Sequence, residues 1–339
     1  MPLHLYILRR IVFVIPVLLG ITLMAFLIAN AVPADPINAN LSQRAMSDPE
    51  IVAAFRREWG LDKSLPEQYL TYIGNLLQGN LGRSIKSRQL ISEDIARFMP
   101  ATIELATFGI IVGVALGIST GMVSAIWRNT WMDAAARTIS LIGVSVPVFV
   151  LALVGLYVLH VRLGLTAGPG RLDFTMTPPP AVTGMYTVDA LLAGQWGVFA
   201  NAVSHLVLPS LVLGLFIAGI ISRVTRSSML EVLGMDYLRT ARSKGLAERV
   251  VVIRHAFRNA TIPIVTVIGL SYGSLLSGAV LTESIFAWPG IGRYMYRAST
   301  SQDFPAIMGV SLLFAFIFVM VNLVVDILYY FLDPRIRQS

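Results

Sequence analysis

Six long apolar runs constrain this chain most: roughly 10–32, 101–126, 137–162, 201–223, 261–287 and 305–332. Each is long enough to cross a hydrocarbon core of about 30 Å at about 1.5 Å of helix rise per residue. Backbone groups in lipid have no water to bond, so only helices or closed barrels can span it. None of the runs has the short alternating pattern of a barrel strand. The runs therefore predict an all-α polytopic bundle with six transmembrane helices. A mean hydropathy of +0.72 with only 13% charged residues agrees. The net charge of +7 raises nucleic acid as a partner. The basic residues, however, lie in loops beside the apolar runs, which points to membrane lipid and away from nucleic acid. The chain has no cysteine, which excludes disulfides, iron–sulfur ligation and thiol chemistry. The run after Arg9 and Arg10 exceeds the roughly 7–15-residue core of a signal peptide, so it reads as a retained helix.

Lysine and arginine placement sets the orientation. The 223–260 loop carries eight basic residues against three acidic ones, and Arg9, Arg10, Arg128, Arg335 and Arg337 fall on the same side. In segment 33–99, eight basic residues balance eight acidic ones. Both termini and the basic loop are therefore expected in the cytoplasm. The chain divides into 1–32, the N-terminus and first helix; 33–99, an external helical segment; and 100–339, a core of the remaining helices with a cytoplasmic loop at 224–260. "SDPE" at 47–50 and "SLPE" at 64–67 read as capping boxes that open short helices closed by Gly60 and Gly79. Segment 163–200, with "GPG" and "TPPP", reads as an external connection.

Catalytic signals are missing. The four histidines are scattered without an HExxH spacing, and no GxxxxGK[ST] occurs; "GNLGRSIKS" lacks the Gly-Lys-Ser/Thr ending. No catalytic residue, metal site or cofactor site is predicted in this chain.

Small residues recur every fourth position: Gly109, Gly113, Gly117 and Gly121 in the second run, Gly269, Gly273 and Ser277 in the fifth. This spacing lets helix backbones approach closely in lipid. It serves tight packing, the wall of a path, or both. A row of fours advances about 40° beyond a full turn per step, so it suits a crossing or curved partner. Asp326, inside the sixth run, is expected to pair with a basic-side arginine such as Arg223, with Asn322 one turn earlier in the same network; a proton or ion site is the alternative. Glu104 reads as helix-dipole stabilisation in the first turn of its helix. Asn201 and His205 read as interhelical hydrogen-bonding groups. Pro147 and Pro209 should kink their helices.

Within the basic loop, "DYLRTARSKG" predicts a helix from Tyr237 to Lys244, with Asp236 as N-cap and Gly245 as the stop. Lys244 complements the helix dipole. Two turns are not stable alone in water, so something must hold them. One reading is an interfacial helix pinned to anionic lipid by Arg239 and Arg242. The other is a docking knob for another protein, with Ala241 small enough for close approach.

"YLRTARSKG" followed by "RHAFRNATIPIVT" resembles the cytoplasmic EAA signature of ABC-type import permeases in its peptide-permease form. Arg239 and Thr240 stand where the broad consensus has Glu-Ala, and Ala241 and Gly245 match; the gap from Gly245 to Pro263 is longer than in many importers. "HLVLPSLVLGL", "LTESIFAWPGIGR" and "DPRIR" match later blocks, and "GLDKSLPEQYLTYIGNLLQGNLGRSIKSR" matches the external segment. The resemblance implies a subunit of the bacterial inner membrane whose helix Asp236–Gly245 couples to a partner ATPase. It also implies a homologous second permease, two ATP-binding subunits that carry ATP and Mg, and a periplasmic peptide-binding protein. The implied cargo is dipeptides or short peptides; glutathione and nickel importers share much of the sequence. Glu283 would lie on the binding-protein side and pair with Arg293 or Arg297, as a gate or as structure. An ion-coupled transporter using Asp326, or a membrane scaffold, is the rival from another class.

Overall fold

The computed structural model describes residues 3–31, 41, 43–58, 60 and 62–332. Arg335 and Arg337 lie outside the described residues. In chain order the helices are α1 (Leu3–Ala31), α2 (Gln43–Met46), α3 (Pro49–Glu58), α4 (Leu65–Leu77) and α5 (Ile91–Ile126). Then come α6 (Trp131–Ser145), α7 (Val148–Arg162), α8 (Tyr186–Leu192), α9 (Trp196–Leu233) and α10 (Asp236–Ser243). The last four are α11 (Glu248–Leu276), α12 (Val280–Ile285), α13 (Ile291–Thr300) and α14 (Phe304–Leu332). Among the described residues the one departure from helix and loop is a single bridge, Arg83 to Leu90.

Helices α5, α9, α11 and α14 are each long and apolar enough to cross a membrane, and α6 with α7 makes a fifth if the pair is one span. That pair bends by 98°, because Pro147 cannot supply the N–H needed to continue α6. Helix α9, in contrast, runs unbroken through Pro209. The apolar part of α1, Val12–Ile28, occupies the place of the first run. Helix and apolar run do not coincide at the ends. Helix α5 starts at Ile91, ten residues before its run, and α11 reaches from Glu248 to Leu276 and stops short of 287. Gly278 ends that run early: its φ of +94° suits glycine, and a Cβ there would meet the Gly292 backbone at 2.7 Å.

Helices α5 and α9 form the centre. A Cβ added at Gly113, Gly117 or Gly121 would meet Ile217, Ile221 or Thr225 at 2.8, 2.7 and 2.6 Å, and one at Gly109 would meet Leu213 at 3.3 Å. The offset of 104 residues is constant, so the two helices run parallel. Each glycine row faces a row of fours, and contact persists because the rows curl about each other. The second row packs differently. A side chain at Gly269 would overlap Val325, and one at Gly273 would meet Val321 at 3.3 Å, so α11 and α14 run antiparallel. Ser277 turns its hydroxyl back to the Gly273 carbonyl at 3.0 Å.

The segment between α1 and α5 is ordered by its caps. The Ser64 backbone N–H donates to Glu67 at 3.0 Å, as the box at 64–67 predicts, and the Ser64 hydroxyl donates to the same carboxylate at 2.8 Å; the hydroxyl first and the N–H second hold the Glu67 carboxyl below its ordinary range. At 47–50 the acceptor is Asp48, which takes the Glu50 N–H at 2.9 Å, while Ser47 bonds Arg44. Asp caps as well as Ser and stands directly before Pro49 at the helix start, which displaces Ser47 from that role. Phe26 and Tyr69 rings lie 5.3 Å apart, docking α4 on the end of α1.

Candidate coupling site

Helix α10 begins one residue earlier than the sequence suggests. Met235 takes the cap position, and Asp236 sits in the first turn, where it meets Arg239 at 3.4 Å. Acidic residues are favourable there through the dipole without capping directly. What holds so short a helix is Leu238, 0% exposed, packed in the main core with Val251, Val252 and Ala256. Tyr237 adds a polar hook: its hydroxyl accepts from Asn259 at 2.6 Å and donates to the His255 carbonyl at 3.4 Å. Both hooks reach a π-helical stretch of α11, Val251–Phe257.

The C-terminus closes in a Schellman arrangement. Gly245 N–H bonds the Arg242 carbonyl at 2.9 Å and Leu246 N–H the Ala241 carbonyl at 3.4 Å, with Gly245 at φ +78°. Lys244 occupies the C-cap. Arg242 then forks onto Glu248 with bonds of 3.0 and 2.8 Å. Arg239, Thr240, Arg242, Lys244 and Gly245 are exposed, whereas Ala241 packs partly against the core. The result is a rigid basic ridge whose inner face belongs to the membrane core.

A buried charge cluster lies at the same end of the bundle. Asp133, fully buried, accepts from Ser124 at 2.5 Å, from the Asn129 N–H at 3.0 Å and from Arg226 at 3.1 Å. Arg137 shares the same carboxylate at 3.1 Å. This ties together α5, α6 and α9. The pair foreseen between Arg223 and Asp326 is not formed: Arg223 is exposed, and Arg226, three residues on, is the arginine of α9 that finds a carboxylate. The reason is topological, since α9 packs on α5, α6 and α11, while α14 packs on α1 and α11. Asn322 donates to the Phe318 carbonyl of its own helix at 2.8 Å, and Asp326 is half-buried.

The opposite end holds several buried carboxylates, among them Glu104, Glu283 and Asp303. Glu104 lies well inside α5, not in its first turn, and binds Arg171 at 2.7 Å and the Thr187 N–H and hydroxyl at 2.7 Å each. Arg171 in turn lies 3.6 Å from the Tyr186 ring. Segment 163–200 is thereby locked onto the bundle. Asn201 and His205 serve the same segment by contacting Asp173, at 2.5 and 3.5 Å, instead of bonding to another spanning helix.

Glu283, 0% exposed, pairs with neither the Arg293 nor the Arg297 side chain among the described residues. It accepts the Thr102 hydroxyl at 2.7 Å and the Arg293 backbone N–H at 2.8 Å. Glycine is required around it, because a Cβ at Gly290 would collide with the carboxylate and one at Gly292 would come within 3.0 Å. Burial pushes the Glu283 carboxyl up from its ordinary range. Arg293 is held below its ordinary range, first by burial and then by Arg297 one turn away.

The third carboxylate, Asp303, explains "GNLGRSIKS". It accepts the Ser84 hydroxyl at 2.5 Å and the Ile85 and Lys86 N–H groups at 3.1 Å each. The segment cradles an anion after all, but the anion is the chain's own side chain. Sequence reasoning passed over Leu238, Thr102, Asp133, Arg171 and Asp303; polar residues within or beside apolar runs were the available signal.

The described residues thus form a helical bundle with membrane-length spans, carrying an exposed two-turn helix anchored to the core between two of them. The chain belongs to the family described as binding-protein-dependent transport system inner membrane component, which matches residues 113–338; the N-terminal part of that class matches residues 3–106. It is therefore a multi-pass permease subunit of the inner membrane. The Di/tripeptide transport system permease protein DppB of Pseudomonas aeruginosa (strain UCBPP-PA14) is 43% identical over 334 residues, covering 98% of this chain and 99% of the relative. The Dipeptide transport system permease protein DppB of Escherichia coli (strain K12) is 43% identical over 336 residues, with the same coverage. The Glutathione transport system permease protein GsiC of Salmonella choleraesuis (strain SC-B67) is 38% identical over 335 residues, again covering 98% and 99%. Among solved structures, the inward-facing MetNI methionine ABC transporter aligns with a TM-score of 0.51 and 14% identity, covering 70% of this chain and 96% of that one. That likeness carries the fold.

Proposed function

We propose that this chain is the membrane permease subunit of an ATP-driven importer for dipeptides and other short peptides. A periplasmic binding protein delivers the cargo, and a homologous second permease completes the path. ATP and Mg are used on two partner ATP-binding subunits, and α10 is the element that docks on them. Both termini and α10 face the cytoplasm, with 33–99 and α13 on the delivery side. The observation that carries this reading is the construction of α10: an exposed basic ridge fixed to the core by Leu238 and stopped at Gly245. Such a knob moves as one body with the spanning helices, which suits transmission of a closure in the ATPases to the bundle.

Peptide cargo is supported by the peptide relatives at 43% identity over nearly the full chain; the glutathione relative, at 38%, names the second cargo to try. An ion-coupled mechanism through Asp326 would leave α10 without a role.

Gentle-detergent capture of the tagged chain, followed by mass spectrometry of what it retains, examines the assembly. Recovery of a second permease with ATP-binding subunits is the expected result. A chain recovered alone, yet active in proteoliposomes without ATP, would overturn the proposal.

A further inference from the structure

Helix α4 sits deeper along the bundle than its place in an external segment suggests. Its Tyr69 hydroxyl lies 3.1 Å from the Thr22 hydroxyl and 3.4 Å from the Leu19 carbonyl of α1. Thr22 comes six residues before Ile28, where the apolar part of α1 ends. The contact therefore stands about 9 Å inside that end. A second span gives the same level. Tyr69 and Tyr72 pack in one cluster with Phe26, Phe304 and Met308, and the last two lie in the first two turns of α14.

The surface of α4 divides into three sides. Tyr69 and Tyr72 dock on the spans, with Leu76 on the same side. Leu70 and Leu77, two turns apart, share a second side with Ile73 and Gly74. These two leucines are 69% and 85% exposed, and nothing lies within 4 Å of where a Gly74 Cβ would stand. The third side carries Thr71, Asn75 and Gln78, all exposed. No charged residue occurs from 68 to 80. Leu23, Met24 and Leu27 of α1 are exposed as well, so the open apolar side of α4 stands at the level of bare apolar surface on a spanning helix.

We propose that α4 lies in the bilayer interface, with Leu70, Ile73 and Leu77 in lipid and Thr71, Asn75 and Gln78 toward water. Its depth falls within the roughly 5–10 Å at which an amphipathic interfacial helix rests. The side carries no charge, so acidic and neutral lipids serve alike. The inference uses the membrane placement of the chain and depends on neither the cargo nor the ATPases.

The chain has no cysteine, so single cysteines accept a nitroxide without further change. Full-length Leu70→Cys, Leu77→Cys, Asn75→Cys and Lys86→Cys would be labelled and reconstituted in vesicles of phosphatidylethanolamine and phosphatidylglycerol. The parent, treated alike, supplies the background from any subunit that accompanies it. Electron paramagnetic resonance then compares collisions with oxygen, which partitions into lipid, and with a water-soluble nickel chelate. At 70 and 77 the ratio of oxygen to nickel collisions should exceed that at 75 and 86 by at least about threefold. Nickel access at 70 and 77 equal to that at 86 would mean that the side faces water and would overturn the proposal. Immobilised labels at 70 and 77 that meet neither reagent would mean that another protein covers the side, which would overturn it too.

Discussion

The Arg242 guanidinium closes on the Glu248 carboxylate through two bonds, Nε at 3.0 Å and Nη2 at 2.8 Å. The pair bridges the turn from α10 into the first residues of α11. Both side chains are substantially exposed, so the link contributes only about 0.2–1 kcal/mol to stability. Its value lies in direction: it fixes the angle at which the basic ridge leaves the bundle. Arg242→Glu should therefore lower cargo transported per ATP hydrolysed without impairing insertion. The double exchange Arg242→Glu/Glu248→Arg should recover part of that ratio, measured in proteoliposomes containing the whole complex.

Gly117 faces Ile221 with no room for a methyl group, since a Cβ would lie 2.7 Å from the isoleucine Cβ and 3.0 Å from the Ala218 carbonyl. Gly117→Ala should cost about 1–3 kcal/mol of packing and lower the melting temperature in detergent. Adding Ile221→Ala relieves the side-chain overlap but not the approach to the carbonyl, so recovery should be partial.

Glu104 and Arg171 form a pair buried on both sides, with side chains 1% and 7% exposed. Arg171→Met strands the carboxylate and should cost about 3–5 kcal/mol. Glu104→Gln/Arg171→Met removes both charges and should cost less than the single change. Thermal unfolding of Arg171→Met, Glu104→Gln and the double variant beside the parent gives the coupling between the two positions.

How much of this was legible in the sequence follows from the physics at each place. The apolar runs, the Gly245 stop and the box at 64–67 depend on neighbours along the chain, and all can be read locally. The glycine rows announced close packing, but their partners, Leu213 to Thr225 on a parallel helix and Val321 to Val325 on an antiparallel one, are tertiary facts. Arg223 and Arg226 are alike in sequence, and only the packing of α6 on α9 selects Arg226 for Asp133. Glu104 and Glu283 drew the wrong partners from the sequence and Asp303 drew none, because their donors come from distant segments: Thr102 for Glu283, Thr187 for Glu104, Ser84 for Asp303.

Glu283 lies beyond the end of α11 and gives the structure a pH dependence of definite sign. Burial raises its carboxyl above the unfolded value of about 4.3. A raised acid favours the folded state fully below the unfolded pKa, and that contribution is lost as pH rises through the folded one. Glu283→Gln, neutral at every pH, should therefore gain stability relative to the parent as pH rises. Glu283→Ala should be less stable than the parent at low pH, because the Thr102 hydroxyl and Arg293 N–H lose their acceptor. Unfolding midpoints of the three proteins across a pH series check both trends.

The central claim is that α10 transmits work because its end is rigid, and Gly245 is where that can be broken with least collateral damage. Its φ is +78°, and nothing lies within 4 Å of where its Cβ would stand. A β-branched residue there meets only backbone strain, about 1–2 kcal/mol, and no clash. The most direct measurement is cargo-stimulated ATP hydrolysis by the assembled complex carrying Gly245→Val, beside the parent at matched membrane insertion. The account predicts that stimulation by the cargo-loaded binding protein is lost while basal hydrolysis and insertion remain. Stimulation equal to the parent's would contradict it.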